Sequence, residues 1–274
     1  MKRNRSLVSV LTALGLLLLF LMNISPILLL LRQAFSPESE SVGWPLRLLP
    51  RHFSLENFRL LWRSQALAEH VFLSGWVALL VTFFSLTLGF PAGWGAARWR
   101  ALEGVSTRAG LLSRILPHIA LAIPLTSLLI PLGLYNHPKG WGLILAHLTL
   151  GVPIAVLMGY AAFRDLPREL EEAAIVDGCS TVKVFTHVSL PVVKGALGAA
   201  AILIFLLSWD EFTYALLIQL THRTMPPLIY YYTEYGQIGS ASVLAVLMLV
   251  PAVLVIGVLQ KSITRGMMSG ILKG

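Results

Sequence analysis

Two adjacent carboxylates, Asp210 and Glu211, interrupt a run from Gly195 to Leu220 that carries no other charge. They are the only acids embedded in an apolar run of this chain. An ionised carboxylate facing lipid costs roughly 2.5–3.5 kcal/mol at mid-membrane on insertion scales, and less toward the interface. The pair must therefore face a cavity, a partner subunit or external water. At about 1.5 Å per residue, Asp210 lies about 22 Å along a helix from Gly195, in the outer part of the run. Carboxylates there can accept hydrogen bonds from hydroxyl groups of a solute while Trp209 or Tyr214 supplies an apolar face. One of them could instead carry a proton. A structural link to another subunit, or an early helix end, would use the same residues.

A second set of acids, Glu169, Glu171 and Glu172, lies in the polar stretch Leu166–Pro191. Pro167 suits a first helical position, where its missing N–H would be unpaired anyway. The three acids then sit in the early turns, at the positive end of the helix dipole. Gly178 can take the left-handed conformation that closes a helix. Ser180 can cap a second helix, with Val182, Phe185 and Val188 or Ser189 as its apolar side, and Pro191 stops the pattern. The stretch predicts two short helices joined by a turn.

Glu172-Ala173-Ala174, three residues, Gly178, nine residues, Val188, one residue, Leu190-Pro191 resembles the EAA loop of importer-type ABC permeases. Val188 stands where that family has Ile, which keeps the β-branched bulk. The resemblance implies a cytoplasmic coupling element that docks into a groove on a separate ATP-hydrolysing subunit. An amphipathic hairpin lying on the membrane surface is the plainer alternative.

Further stretches are similar to the carbohydrate-uptake class of these permeases. They are Leu166-Pro167-Arg168-Glu169-Leu170, Ile175-Val176-Asp177-Gly178, Trp209-Asp210-Glu211-Phe212, Gly133-Leu134-Tyr135-Asn136 and the terminal Gly270-Ile271-Leu272-Lys273-Gly274. The pattern is that of the second permease subunit of maltose- and trehalose-type importers, over about Ser54 to Gly274. Asp210 replaces the Asn usual in the class, and Cys179 stands where Ala is commoner. The resemblance implies a type I ABC importer permease fold, all α, with coupling helices between spans 4 and 5. It also implies a second permease subunit (a heterodimer or a homodimer), two ATP-binding subunits and an extracytoplasmic sugar-binding protein. ATP and Mg would then belong to the partner ATPase, leaving this chain without cofactor, metal or catalytic residues.

Composition agrees with a membrane class. Of 274 residues, 56% are hydrophobic and 12% charged, and the mean hydropathy is +0.77. The net charge of +8 could suggest nucleic acid, but the basic residues collect in short loops beside apolar runs. Cys179 is the single cysteine, so no internal disulfide can form. No Gly-x4-Gly-Lys-Ser/Thr loop and no His-Glu-x-x-His sequence occur.

Six apolar runs predict six spans: Leu7–Leu31, Val71–Ala97, Ile115–Tyr135, Trp141–Phe163, Gly195–Leu220 and Ala241–Gln260. Gly and Ala in the second favour close packing inside a bundle. The prolines of the third require that protein or a water-lined path satisfy the freed carbonyls. His118 near its start reads as a structural imidazole. Between the first two spans, Ser54 starts an amphipathic stretch, Leu55–Leu67, with Phe58, Leu61 and Trp62 on one side. Its Asn57-Phe58-Arg59-Leu60-Leu61 resembles a helix that permeases of the class carry at this place. Thr221–Ser240 reads as a polar connection whose Tyr230, Tyr231, Tyr232 and Tyr235 could meet a docked binding protein or form an interfacial belt. The chain divides into residues 1–70, a first span with an external segment, and 71–274, a five-span core containing the coupling loop 164–194.

Of the 21 Lys and Arg residues, 14 fall on the side of the N-terminus, which the positive-inside rule assigns to the cytoplasm together with the C-terminus and the Glu172 loop. The setting is thus a multi-pass protein of the cell's inner (plasma) membrane. A proton-coupled secondary transporter is the main rival, although such folds usually show internal repeats and none is evident here. A structural subunit of another membrane complex leaves the EAA spacing unexplained. Within ABC importers, glycerol-phosphate or polyamine uptake stays open. Reporter fusions within 163–191 and after Lys261 should read cytoplasmic, and those within 33–70 external; a cytoplasmic signal from 33–70 would end the six-span topology.

Overall fold

The computed structural model describes residues 2–41, 49–63, 66–99, 104, 108 and 117–271, and helices are its only regular elements among them. Arg100 and Arg114 of the basic loop, Ile115 of the expected third span, and Leu272–Gly274 of the terminal sequence lie outside the described residues. Two compact units are present, Met1–Leu67 with Leu228–Pro251, and Ala68–Pro227 with Ala252–Gly274.

In the first unit, α1 (Lys2–Ala34) is a continuous helix whose Leu14, Leu17 and Leu21 are more than half exposed. Its C-terminal carbonyls find donors on α3 (Glu56–Arg63), which follows the single turn α2 (Glu38–Ser41). Asn57 is fully buried there and its amide nitrogen donates to the carbonyls of Ser36 at 2.8 Å and Ala34 at 3.4 Å. Phe35 stacks on both Phe53 and Phe58 at 5.0 Å. The buried side of α3 is therefore Asn57 with Leu61, one turn apart, and the expected third member, Trp62, is 81% exposed. Trp62 is one residue beyond Leu61, about 100° around the helix, so it cannot share that face.

The second unit is built on α4 (Ala66–Arg98) and α6 (Trp141–Arg164), with α5 (His118–Leu129) beside them. Among the described residues, three helices are long and apolar enough to cross a membrane, at Ser9–Ala34, Leu67–Arg98 and Trp141–Arg164. A fourth crossing arises if α8 (Thr181–Val192) and α9 (Lys194–Trp209), which meet at an 80° bend, count as one. α5 stops at Leu129, short of the expected Tyr135, because Pro131 follows and Gly133 turns back at φ +67°. The run Gly195–Leu220 is also divided: α9 ends at Trp209 and α10 (Thr213–Ile218) begins after the acids. The connection expected at Thr221–Ser240 contains a helix of its own, α11 (Met225–Glu234), before α12 (Ile238–Ile271).

Close approach of α4 to α6 rests on glycines. A Cβ on Gly93 would stand 2.6 Å from the Tyr160 nitrogen and 2.7 Å from the Val156 oxygen, and one on Gly89 would meet Ala155 Cβ. The small residues of the second span thus pack inside the bundle as their composition predicts. Gly93→Ala should force the two backbones apart and cost about 1–3 kcal/mol. Gly198→Ala, where nothing lies within 4 Å, serves as the control. Thermal midpoints in detergent should fall for the first and hold for the second; an unchanged Gly93→Ala midpoint would refute this packing.

Candidate functional site

The stretch 166–192 folds as two helices about Gly178. The first, α7 (Arg168–Val176), starts one residue later than expected, with Pro167 in the flanking cap position. Glu169 and Glu171 lie in its first turn. Gly178 sits at φ +85°, and its N–H donates to the carbonyl of Ile175 at 2.9 Å. Ser180 occupies the cap position of α8, but its side chain makes no capping bond.

Residues 184–189 of α8 are π-helical. A π turn repeats every five residues or so, which places Val184 and Ser189 on one buried side. Of the expected side, Val182, Phe185 and Val188 or Ser189, the structure buries Ser189, with Val184 beside it: Val182 is 71% exposed, while Phe185 and Val188 are half-buried.

Glu171 holds the hairpin against the bundle. Its carboxylate accepts from Arg98 Nε at 2.5 Å and Nη2 at 3.1 Å, from Trp94 Nε1 at 2.9 Å and from Ser189 Oγ at 2.5 Å. Arg98 also donates to the Leu166 carbonyl at 3.3 Å. Burial raises the Glu171 pKa, but the bonds from Arg98, Ser189 and Trp94 and the charge of Arg98 outweigh it and hold the carboxyl below its ordinary value. The EAA spacing points to Glu172, which is exposed, and assigns Glu171, Arg98, Trp94 and Ser189 no joint role. The available signal was phase: Glu171 lies one turn before Ala174, which packs on the core.

The anchored hairpin leaves an outer surface free. Ala173, Ile175, Val176 and Gly178 are exposed, as is Pro191, whereas Ala174 and Leu190 pack against the protein's own core. A cleft of about 210 Å³ opens between Trp99, Arg168, Glu172 and Thr181.

The other acidic pair separates. Glu211 is 7% exposed, its carboxylate 3.2 Å from His147 Nε2 and accepting from the backbone N–H groups of Tyr214 and Ala215 at 3.0 and 3.1 Å. It thus closes the N-terminus of α10. His147, 1% exposed on α6, also bonds Ser208 at 2.8 Å. Asp210, at the end of α9, is exposed. Trp209 is 7% exposed and Tyr214 fully buried, with His118 stacked on Tyr214 at 5.8 Å. His147 went unnoticed in the sequence, although an imidazole within a charge-free span needs a polar partner.

The Gly133–Asn136 turn docks on the end of α10. Asn136 takes φ +49°, a left-handed conformation that Asn tolerates. Its side chain bonds Thr221 twice, at 2.7 and 3.0 Å. Tyr231 packs on Tyr235 at 4.6 Å and on Tyr232 at 5.9 Å, while Tyr230, Tyr231 and Tyr235 are exposed and Tyr232 is half-buried. Among the described residues, no group of three or more His, Cys, Asp or Glu could hold a metal ion.

Residues 66–269 match the family described as the binding-protein-dependent transport system inner membrane component. The chain belongs to that family. This permease is 30% identical to the trehalose transport system permease protein SugB of Mycobacterium tuberculosis, over 83% of this chain and 85% of that one. It is 28% identical to the trehalose/maltose transport system permease protein MalG of Thermococcus litoralis, over 99% of each. Its fold matches a chain of a bacterial ABC transporter involved in the import of the acidic polysaccharide alginate. The TM-score is 0.75 at 17% identity, over 94% of this chain and 97% of that one.

Because the Glu171 pKa is lowered on folding, the bracing contributes fully above the ordinary value of 4.5 and is lost as pH falls through the lower folded value. Protection of the permease hairpin from protease should hold from neutral pH down to about that point and decline below it. Arg98→Ala, which strands the carboxylate, should cost about 3 kcal/mol and remove the protection at neutral pH. Full protection in that variant would show that Glu171 does not anchor the hairpin.

Proposed function

We propose that this permease, paired with a second permease subunit, moves a sugar or oligosaccharide into the cytoplasm, driven by ATP hydrolysis in two separate subunits. The observation that carries the coupling role is the braced hairpin with apolar residues on its free surface. Val176 is 87% exposed and Ile175 58%, outside any apolar run. Such residues call for a covering partner, and the EAA spacing falls on the same two helices. The trehalose and maltose named for the relatives support a sugar substrate and an extracytoplasmic binding protein to deliver it.

The six-span arrangement is read from α1, α4, α5, α6, the α8–α9 pair and α12. The 14 of 21 basic residues on the terminal side support cytoplasmic termini and a cytoplasmic hairpin. In the outer half, Asp210 is the acid free to accept a sugar hydroxyl, because Glu211 is committed to His147 and α10. Tyr230, Tyr231 and Tyr235 offer exposed rings for the binding protein.

Reconstitution with partners, and uptake of a panel of radiolabelled sugars, tests this reading. Gly178→Val puts a β-branched residue at φ +85°, and Ala173→Glu charges the free surface without touching the protein's own core. Both should insert normally yet abolish ATP-driven uptake, and Asp210→Asn should alter affinity among the sugars. Normal uptake by both hairpin variants would remove the coupling role, and uptake driven by a proton gradient without ATP would remove the importer reading.

A further inference from the structure

At the C-terminal end of α1, a groove of about 440 Å³ runs between that helix and the segment 49–53. Ser25, Leu28, Phe35, Leu49 and Phe53 form its mostly apolar wall, and Arg32 lies at its head. Arg32 is only 7% exposed. One of its nitrogens, Nη2, donates to the Glu40 carbonyl at 3.3 Å, while Nε and Nη1 are buried without a partner. The acids nearest in sequence are engaged elsewhere: the Glu38 carboxylate accepts from the Gly239 N–H, and Glu40 accepts from the Arg51 N–H. Among the described residues Arg32 forms no ion pair. A buried cation with two idle donors is costly, and it lacks an anion.

The surroundings specify which anion. Arg32 closes a span whose Leu17, Leu21 and Leu28 face outward on one stripe, each more than half exposed. The groove continues that stripe from Ser25 to Arg32, about 10 Å along the helix. A guanidinium at headgroup depth presents a fork matched to a phosphate, and the apolar trough below it is shaped for a hydrocarbon chain. We propose that this groove binds one anionic phospholipid, its phosphodiester on Arg32 Nε and Nη1 and an acyl chain along Leu28 and Phe53. A lipid supplies both the charge and the apolar body, and it reaches the groove from the bilayer that α1 already faces.

The test uses the purified full-length protein with its copurifying subunits, delipidated and then titrated with phosphatidylglycerol, phosphatidylcholine or inorganic phosphate. Native mass spectrometry reads retained lipid, and thermal midpoint reads stabilisation. The protein should hold one phosphatidylglycerol at least about tenfold more tightly than phosphatidylcholine, as expected for charge-assisted bonds to an un-neutralised phosphate. Arg32→Gln should abolish that preference. Leu28→Trp, which fills the trough and keeps the arginine, should lose the bound lipid, and it decides the matter if Arg32→Gln fails to fold. Equal retention of the two lipids, unchanged binding in Leu28→Trp, or stabilisation by inorganic phosphate as large as by lipid would each overturn the site. Cross-linking of Leu49→Cys to a copurifying subunit would assign the groove to protein and overturn it too. None of these results bears on sugar uptake, which rests on other residues.

Discussion

A carboxylate withdrawn from water must be met by donors, and Glu171 meets four of them within one hairpin and the end of one span. Arg98 and Trp94 come from α4, and Ser189 comes from the π-helical turn of α8. Each donor is placed by something else: Trp94 and Arg98 by the helix that Gly89 and Gly93 let close on α6, Ser189 by the wider π turn. The hairpin's position relative to the bundle therefore depends on backbone packing far from its tip. Its outer face is left free because its inner face is so fully engaged.

The same rule gives a different result at Glu211. There the donors are an imidazole and two backbone N–H groups, and the carboxylate joins α6, α9 and α10. Glu171 secures the hairpin to the bundle, whereas Glu211 secures a break within it. The break matters because α9 would otherwise run on through Asp210. With Glu211 turned inward, its neighbour is turned outward, and two adjacent acids of the same charge come to have unrelated surroundings.

Much of this was legible from residue types. Helical class, the two-helix hairpin and its Gly178 corner follow from proline, glycine and apolar spacing, and the glycine-rich second span does pack closely. What could not be read were phases and partners. The π turn widens the repeat without any sequence mark, so α8 buries Val184 rather than Val182, beside the Ser189 that the spacing offers as an alternative to Val188. Apolar bulk alone puts Trp62 beside Leu61, whereas the angle between them puts it on another side of α3. In the sequence Arg98 reads only as a loop charge and His147 carries no signal of its partners, because their meaning lies in groups about seventy and sixty residues away.

The corner at Val193 has a mechanical consequence. α8 and α9 meet at 80°, with Val193 buried and the Leu197 N–H still bonded to its carbonyl. Two stiff rods joined nearly at right angles form a crank. The short arm, α8, is about 18 Å long, so a 5° swing of α9 about the corner sweeps the Gly178 end by about 1.6 Å. Displacements of that size are what close-packed surfaces resolve into one seating or another. Any change of angle at Val193 is therefore converted into travel of the Gly178 corner, in a proportion set by the length of α8 alone.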